Sequence, residues 1–311
     1  MTTLTATQEE VLDRIRPSRD SRRTWPTHLR AELRHRLETE LGPDLAELDD
    51  TLWVSKHGLT SVSGCERSFV EAPPFEWSVP TARGSVVHKA VELSVHRRGE
   101  PTPLDLVEDA IALLEADDRD RSVGEFLRHT GDPLRAELIS EVTTLVSQFL
   151  EVFPPIARAW RPTCEARRRV ELCDDRLVLS GRFDLTLGVP DGDRAGRVVL
   201  DIKTGTPRPQ HREELRYYAL LEAFYNGVPP ARVASLYLDS GRVDYDDVDE
   251  GVLEAALRQV VGGTRRLAAL ATGTEPAERA GPACRWCALR ADCRTGTAWL
   301  ADDDDLEGEF T

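Results

Sequence analysis

RLVLSGRFDLTLGVPDGDRAGRVVLDIKTG (176–205) is the stretch that decides the fold. Its halves, RLVLSGRFDLTLG (176–188) and GRVVLDIKTG (196–205), are rich in β-forming residues, and PDGDRAGR between them is a turn-forming cluster. That pattern predicts a β-hairpin. Side chains alternate along a strand, so Asp201 and Lys203 share one face while Ile202 points into the core. Pairing through the turn brings Asp184, near the middle of its own strand, beside Asp201. Two carboxylates this close repel unless a cation lies between them, and hard oxygen donors select Mg²⁺ or Mn²⁺. A cation held in this way polarises a phosphoryl oxygen and activates a water for in-line attack. Lys203 is placed to orient or deprotonate that water, or to neutralise charge developing on the phosphate.

Upstream, RGSVVHKAVELSVH (83–96) reads as a helix with His88 and Glu92 four residues apart on one face. His88 offers an imidazole nitrogen to the metal, and Glu92 joins Asp184, Asp201 and Lys203 as a candidate catalytic group. The segment 103–153 reads as two or three amphipathic helices stopped by Pro154 and Pro155, and ARRRVELC (166–173) as a further strand. Downstream lie a helix over 212–225, a strand over 233–240 and a long helix over 249–271. Helices alternating with strands predict an α/β fold. Residues 1–60 read as a helical N-terminal extension, with Leu29, Leu33, Leu37 and Leu41 at helical spacing. Residues 61–295 form the main domain, and 296–311 an acidic disordered tail with six acids in ADDDDLEGEFT.

The 311 residues carry 40 Lys+Arg against 55 Asp+Glu, a formal charge of −15, and are 40% hydrophobic. That composition is globular and long enough to bury a core without disulfide staples. No apolar run approaches the ~20 residues of a membrane span and no leader pattern opens the chain, so the expected location is cytoplasmic. Net acidity alone argues against a nucleic-acid partner. The tail and the carboxylates assigned to a cation account for part of that acidity, which leaves a DNA substrate open. Lys56, Lys89 and Lys203 are the only lysines among those 40 basic residues. A lysine that persists in such an arginine-biased chain is a candidate for a chemical role.

Near the C-terminus, PACRWCALRADC (282–293) sets Cys284, Cys287 and Cys293 in a C-x2-C-x5-C pattern. Three close thiols make an incomplete tetrahedral site, with Cys65, Cys164 and Cys173 as candidates for the fourth ligand. Metal is favoured over disulfides in a cytosolic chain. Four thiolates suit either Zn²⁺ or an iron–sulfur cluster.

Taken together, Gly84-Ser-Val-Val-His88-Lys-Ala-Val-Glu92, Gly181-Arg-Phe-Asp184 and Val199-Leu-Asp201-Ile-Lys203-Thr-Gly205 resemble the RecB-type branch of the PD-(D/E)XK nuclease superfamily. The resemblance covers about residues 60–295 and implies a restriction-endonuclease-like core, a central mixed β-sheet flanked by helices. It implies metal binding by His88, Asp184, Asp201 and the main-chain carbonyl of Ile202, with Lys203 serving catalysis. The family's next signature, Gln-x3-Tyr, is associated with the nucleic-acid strand; here Tyr218 fits and Glu214 replaces the Gln. The one-plus-three cysteine order resembles the iron–sulfur subset that includes the AddB nuclease domain and the CRISPR-associated RecB-like exonucleases. That implies a [4Fe–4S] cluster on Cys65, Cys284, Cys287 and Cys293 as a C-terminal latch, although Cys65 is followed by Glu66 where the subset usually has Pro.

Arg182 and Arg216 are candidate phosphate contacts, together with Arg167, Arg168, Arg169, Arg208 and Arg212. Tyr218 and Trp286 are candidates for stacking on unpaired bases. The expected function is a Mg²⁺- or Mn²⁺-dependent DNA exonuclease acting on single strands or ends in repair, recombination or defence, with a helicase or a recombination or defence protein as the expected partner. The rival readings are a non-catalytic DNA-binding or scaffold subunit of a helicase–nuclease complex and a zinc-bound interaction module.

Overall fold

The computed structural model describes residues 4–18, 20–97, 99, 101–117 and 119–308. In chain order the elements are α1 (Ala6–Ile15), α2 (Leu29–Ala46), β1 (Leu52–Ser55), α3 (Lys56–Gly64), α4 (Glu66–Glu71) and α5 (Val79–His96). Next come α6 (Pro103–Glu115), α7 (Val123–His129), α8 (Asp132–Val152), β2 (Thr163–Leu172), β3 (Leu177–Leu187) and β4 (Val198–Lys203). The chain continues through α9 (Pro209–Asn226), β5 (Arg232–Tyr237), β6 (Val243–Asp247), α10 (Glu250–Ala271) and α11 (Arg294–Gly308). Local chemistry sets several helix starts. Thr102 caps α6 ahead of Pro103, and the Asp249 carboxylate accepts from Val252 N at the start of α10.

The predicted hairpin forms. Leu185, Thr186 and Leu187 pair with Leu200, Val199 and Val198. Asp191 and Arg194 exchange two backbone hydrogen bonds across a turn in which Gly192 takes a left-handed φ of 60°. β3 is the hub of a six-stranded mixed sheet. One flank of β3 pairs antiparallel with β2 over Leu177–Thr186. The other flank pairs parallel with β1 at 177–180 and antiparallel with β4 at 185–187. β4 continues parallel to β5, and β5 antiparallel to β6. The C-terminal ends of β1 and β4 therefore point at each other across a fork where residues 181–184 of β3 have no strand on that flank.

Helices cover both faces, giving the α/β core with a mixed central sheet that the sequence predicts. One buried cluster joins α2, α3, α9 and α10 to the sheet through Leu37, Leu59, Tyr217 and Leu257. The other joins α1, α5, α6 and α8 through Ile15, Val87, Leu106 and Val146.

Residues 1–60 are built into this core: Trp25, Leu33, Leu37, Leu41 and Leu45 are 0–4% exposed within the first cluster. The tail expected to be disordered from 296 is helical through Gly308 as α11, with Leu300 buried; residues 309–311 lie outside the described residues. β1 and β6, of four and five residues, were not predicted, being too short for alternation to register. Among the described residues no helix is long and apolar enough to cross a membrane.

Candidate active site

The fork positions the chemistry. Asp201, Ile202 and Lys203 end β4, Asp184 sits on β3, and Lys56 is the first residue after β1. His88 reaches in from α5, whose Val86, Val87, Ala90 and Val91 bury the helix against the sheet. Together with Arg182, Arg208, His211 and Tyr218 these groups line a cavity of ≈ 490 Å³.

Asp184 marks a break in strand alternation. Leu179 and Phe183 enter the first core cluster, whereas Leu185 and Leu187 enter the second. On β2, Ala166 and Cys164 divide in the same way. Between those two, Glu165 takes a φ of 52°, a left-handed conformation that costs a non-glycine residue roughly 1–2 kcal/mol. The break turns Glu165 and Asp184 toward His88. His88 Nδ1 lies 3.3 Å from Asp184 Oδ1 and 3.7 Å from Glu165 Oε1. The other Asp184 oxygen accepts from Ile202 N at 2.7 Å, which ties β3 to β4 where their ladder ends.

A second cluster adjoins. Lys56 Nζ is 2.8 Å from Asp201 Oδ1, and Lys203 Nζ is 2.7 Å from Asp201 Oδ2. Both ammonium groups also reach Glu214 Oε2, at 3.3 and 2.7 Å. Burial alone would raise the Asp201 carboxyl, but Lys56 and Lys203 reverse this and hold it well below the usual carboxylate range. Burial likewise works against the Lys56 ammonium, and Asp201, followed by Tyr218 and Glu214, raises it above its ordinary value. For His88, Asp184 and Glu165 outweigh burial, and the imidazole is pushed up to about 10.

The donor set fits a hard divalent cation. Donor atoms of His88, Glu165 and Asp184 lie within 4.8 Å of one another. His88 Nδ1 and Asp201 Oδ2 are buried and face only oppositely charged side chains, carboxylates for His88 and Lys203 for Asp201. The same negative charge that holds a proton on His88 favours a cation in its place.

Not every expected residue joins the cavity. Glu92 pairs with Lys89 along α5, both half-buried, and does not line the cavity. Glu165, which carries no sequence motif, stands with His88 and Asp184 instead. Arg216 is two positions from Glu214, about 200° round α9, and does not line the cavity. Tyr218 lies at the cavity wall but is only 1% exposed. Its hydroxyl donates to Arg182 O at 2.8 Å, its ring packs on Phe183, and Lys56 Nζ sits 4.8 Å from the ring centre. No ring face is left for a base, so the stacking expectation for Tyr218 is corrected. Arg168 and Arg212 are committed to Glu222 and Asp246. Arg182, paired with Glu165 at 2.8 Å, and Arg208 remain exposed at the mouth.

All six cysteines are free. The Cys65 segment docks against the C-terminal one: Arg67 N donates to Ala277 O, Glu66 accepts from Ala277 N, and Arg67 pairs with Glu278. Cys287 Sγ lies 3.7 Å from Ser68 Oγ. A Cβ on Gly296 would meet Cys284 Sγ at 3.3 Å and Cys293 Sγ at 3.4 Å. Cys164 lies instead on β2, and Cys173 in the β2–β3 turn with its N–H bonded to Glu38.

Acidic residues, a histidine and lysines gather at a forked mixed sheet, an arrangement suited to holding a divalent cation beside a phosphodiester. A family model of the PD-(D/E)XK nuclease superfamily matches residues 56–294, and the chain belongs to that superfamily, whose members use divalent metal ions. Two solved structures resemble it at low identity. One is a candidate exonuclease from Eubacterium rectale, 12% identical, with a TM-score of 0.44, covering 78% of this chain and 88% of that one. The other is the protein SSO0001, 13% identical, with a TM-score of 0.36, covering 84% and 94%. No curated protein matches the chain.

Proposed function

We propose that this nuclease is a Mg²⁺- or Mn²⁺-dependent deoxyribonuclease of the RecB-type iron–sulfur subset, an exonuclease on single strands or DNA ends in repair, recombination or defence. The observation that supports this most is the convergence of His88, Asp184, Asp201 and Lys203 on one cavity, with Glu165 close to His88 and Asp184. His88, Glu165, Asp184, Asp201 and the Ile202 carbonyl are the groups that would hold the cation. When bound, the cation supplies Lewis-acid polarisation of a phosphoryl oxygen and a water of lowered pKa. Lys203 faces the attacking water or the phosphate, and its ammonium offsets charge building on the phosphoryl oxygens. Arg182 and Arg208 at the mouth are placed to take neighbouring phosphates.

Cys65, Cys284, Cys287 and Cys293 are proposed to hold a [4Fe–4S] cluster as a structural latch. Such a latch pins the segment after β1 to the segment after α10, the two ends of the nuclease core. The cytoplasm is the proposed location, and a helicase partner belongs to the same reading.

The test is degradation of end-labelled single- and double-stranded DNA with Mn²⁺. Asp201→Ala and Lys203→Ala are each expected to lower the rate at least 10³-fold with an unchanged circular dichroism spectrum; full activity in either variant overturns the assignment. Anaerobic purification tests the latch. A brown protein with broad visible absorption is expected, and a colourless protein containing zinc replaces the cluster with a zinc site.

A further inference from the structure

Resting on the reading of this cavity as the catalytic centre, we propose that Lys56 is a positioning residue: the counter-charge of Glu214 that leaves Lys203 free for the phosphate. The cluster is a closed set of two acids and two lysines. Glu214 Oε2 is shared by Lys203 at 2.7 Å and Lys56 at 3.3 Å, and Asp201 has one lysine on each oxygen. The four groups come from three separate places: the start of α3, the end of β4 for both Asp201 and Lys203, and the first turns of α9. Their formal charges sum to zero.

A cation drawn to Asp201 upsets that balance, because it takes over the carboxylate the two lysines now share. Two ammonium groups and one remaining acid are left. Lys203 is on the strand that carries Asp201 and is the lysine that the proposed function assigns to the phosphate. Lys56 enters from the opposite side of the fork and lies over the Tyr218 ring, within reach of Glu214. Lys56 therefore takes Glu214, and Lys203 turns to the phosphate. Without Lys56, Lys203 would stay paired with Glu214 and the site would carry one extra negative charge facing a phosphodiester. Glu214 is thus tolerable at the strand-facing start of α9 because Lys56 is there.

The experiment is a charge cycle over Lys56→Met, Glu214→Gln and the double variant, with Mn²⁺ affinity measured by calorimetry beside hydrolysis of end-labelled DNA. Lys56→Met is expected to bind Mn²⁺ several-fold more tightly than wild type and yet hydrolyse at least tenfold more slowly. Glu214→Gln is expected to bind Mn²⁺ more weakly. The double variant, neutral again, is expected to return to within about threefold of wild type in both, and Lys56→Arg to keep most of the activity. A merely structural Lys56 would lower both affinity and rate, and the double variant would be no better; either result overturns the proposal. A urea melt of each metal-free variant identifies unfolding, and Lys56→Arg then carries the decision. Wild type that binds Mn²⁺ but hydrolyses no nucleic acid sinks the nuclease reading and with it the role of Lys203. The affinity order across the cycle still decides whether Lys56 and Glu214 are coupled.

Discussion

Cys164 and Cys173 are chemically distant from the four cysteines proposed as ligands. Burial, reinforced by Glu92, Glu165 and Asp184, pushes the Cys164 thiol up to about 12; burial and Glu38 push Cys173 up to about 11. A raised thiol pKa means the reactive thiolate appears only as the pH climbs toward that value. At pH 8 the thiolate fractions are of order 10⁻⁴ and 10⁻³, against roughly a quarter for an unperturbed cysteine. Peptide mass spectrometry after iodoacetamide at pH 8 should therefore find both thiols alkylated at least 100-fold more slowly in the folded protein than in urea. Equal rates in the two states would contradict their placement. The same scale explains what the sequence could disclose. Asp201 and Lys203 were readable because they sit two apart on a regular strand, and Asp184 because the turn-forming cluster pairs its strand with theirs. Glu165 was not, since its arrival depends on a left-handed backbone at a non-glycine residue, which no periodicity announces. Lys56 left one trace, its rarity: it is one of three lysines in a chain of 311 residues.

At the level of elements, the hairpin and the long helices were legible because their apolar periods run for many residues, whereas β1 is four residues long and still forms one side of the fork. What sequence could not supply is why Gly181 precedes Arg182 and Asp184. Helix α9 crosses β3 at that point: a Cβ on Gly181 would lie 2.8 Å from Leu221 Cδ2 and 3.2 Å from Tyr218 Cε1. Both neighbours are fully buried, so neither can move aside cheaply. Gly181→Ala should destabilise the protein by about 1–3 kcal/mol, the range of overpacked cores. It should also slow catalysis, because lifting α9 moves Tyr218, whose hydroxyl bonds the Arg182 carbonyl beside Asp184 and whose ring carries Lys56. Urea denaturation with a matched hydrolysis assay checks both effects. A variant as stable as wild type would mean that α9 packs less closely on β3 than the structure shows.

For the whole molecule, charge and hydropathy patterns described the surface but did not show how the residues ahead of the family-matched segment 56–294 pack. Leucines at helical spacing in residues 29–41 read as an amphipathic extension, because one helix cannot reveal whether its apolar stripe meets its own neighbours or a distant sheet. In the fold, α2 lies on α10, with Arg36 paired to Glu254 and Arg265 to Asp44. Arg232, 4% exposed, grips Asp247 through two nitrogens and donates to the carbonyls of Arg14 and Arg16, fixing the end of α1 to β5 and β6. Deleting residues 1–50 would remove Leu33, Leu37, Leu41 and Leu45 from the main core, at roughly 2 kcal/mol each. It would also leave a buried guanidinium short of two acceptors, a further ~1–3 kcal/mol per lost group. That total is comparable with the whole stability of an ordinary domain, about 5–15 kcal/mol. The truncated protein should therefore be insoluble, or show no cooperative melt by circular dichroism, and should hydrolyse nothing. A soluble truncated chain with a sharp transition within a few degrees of the full-length protein would restore these residues to the status of an appendage.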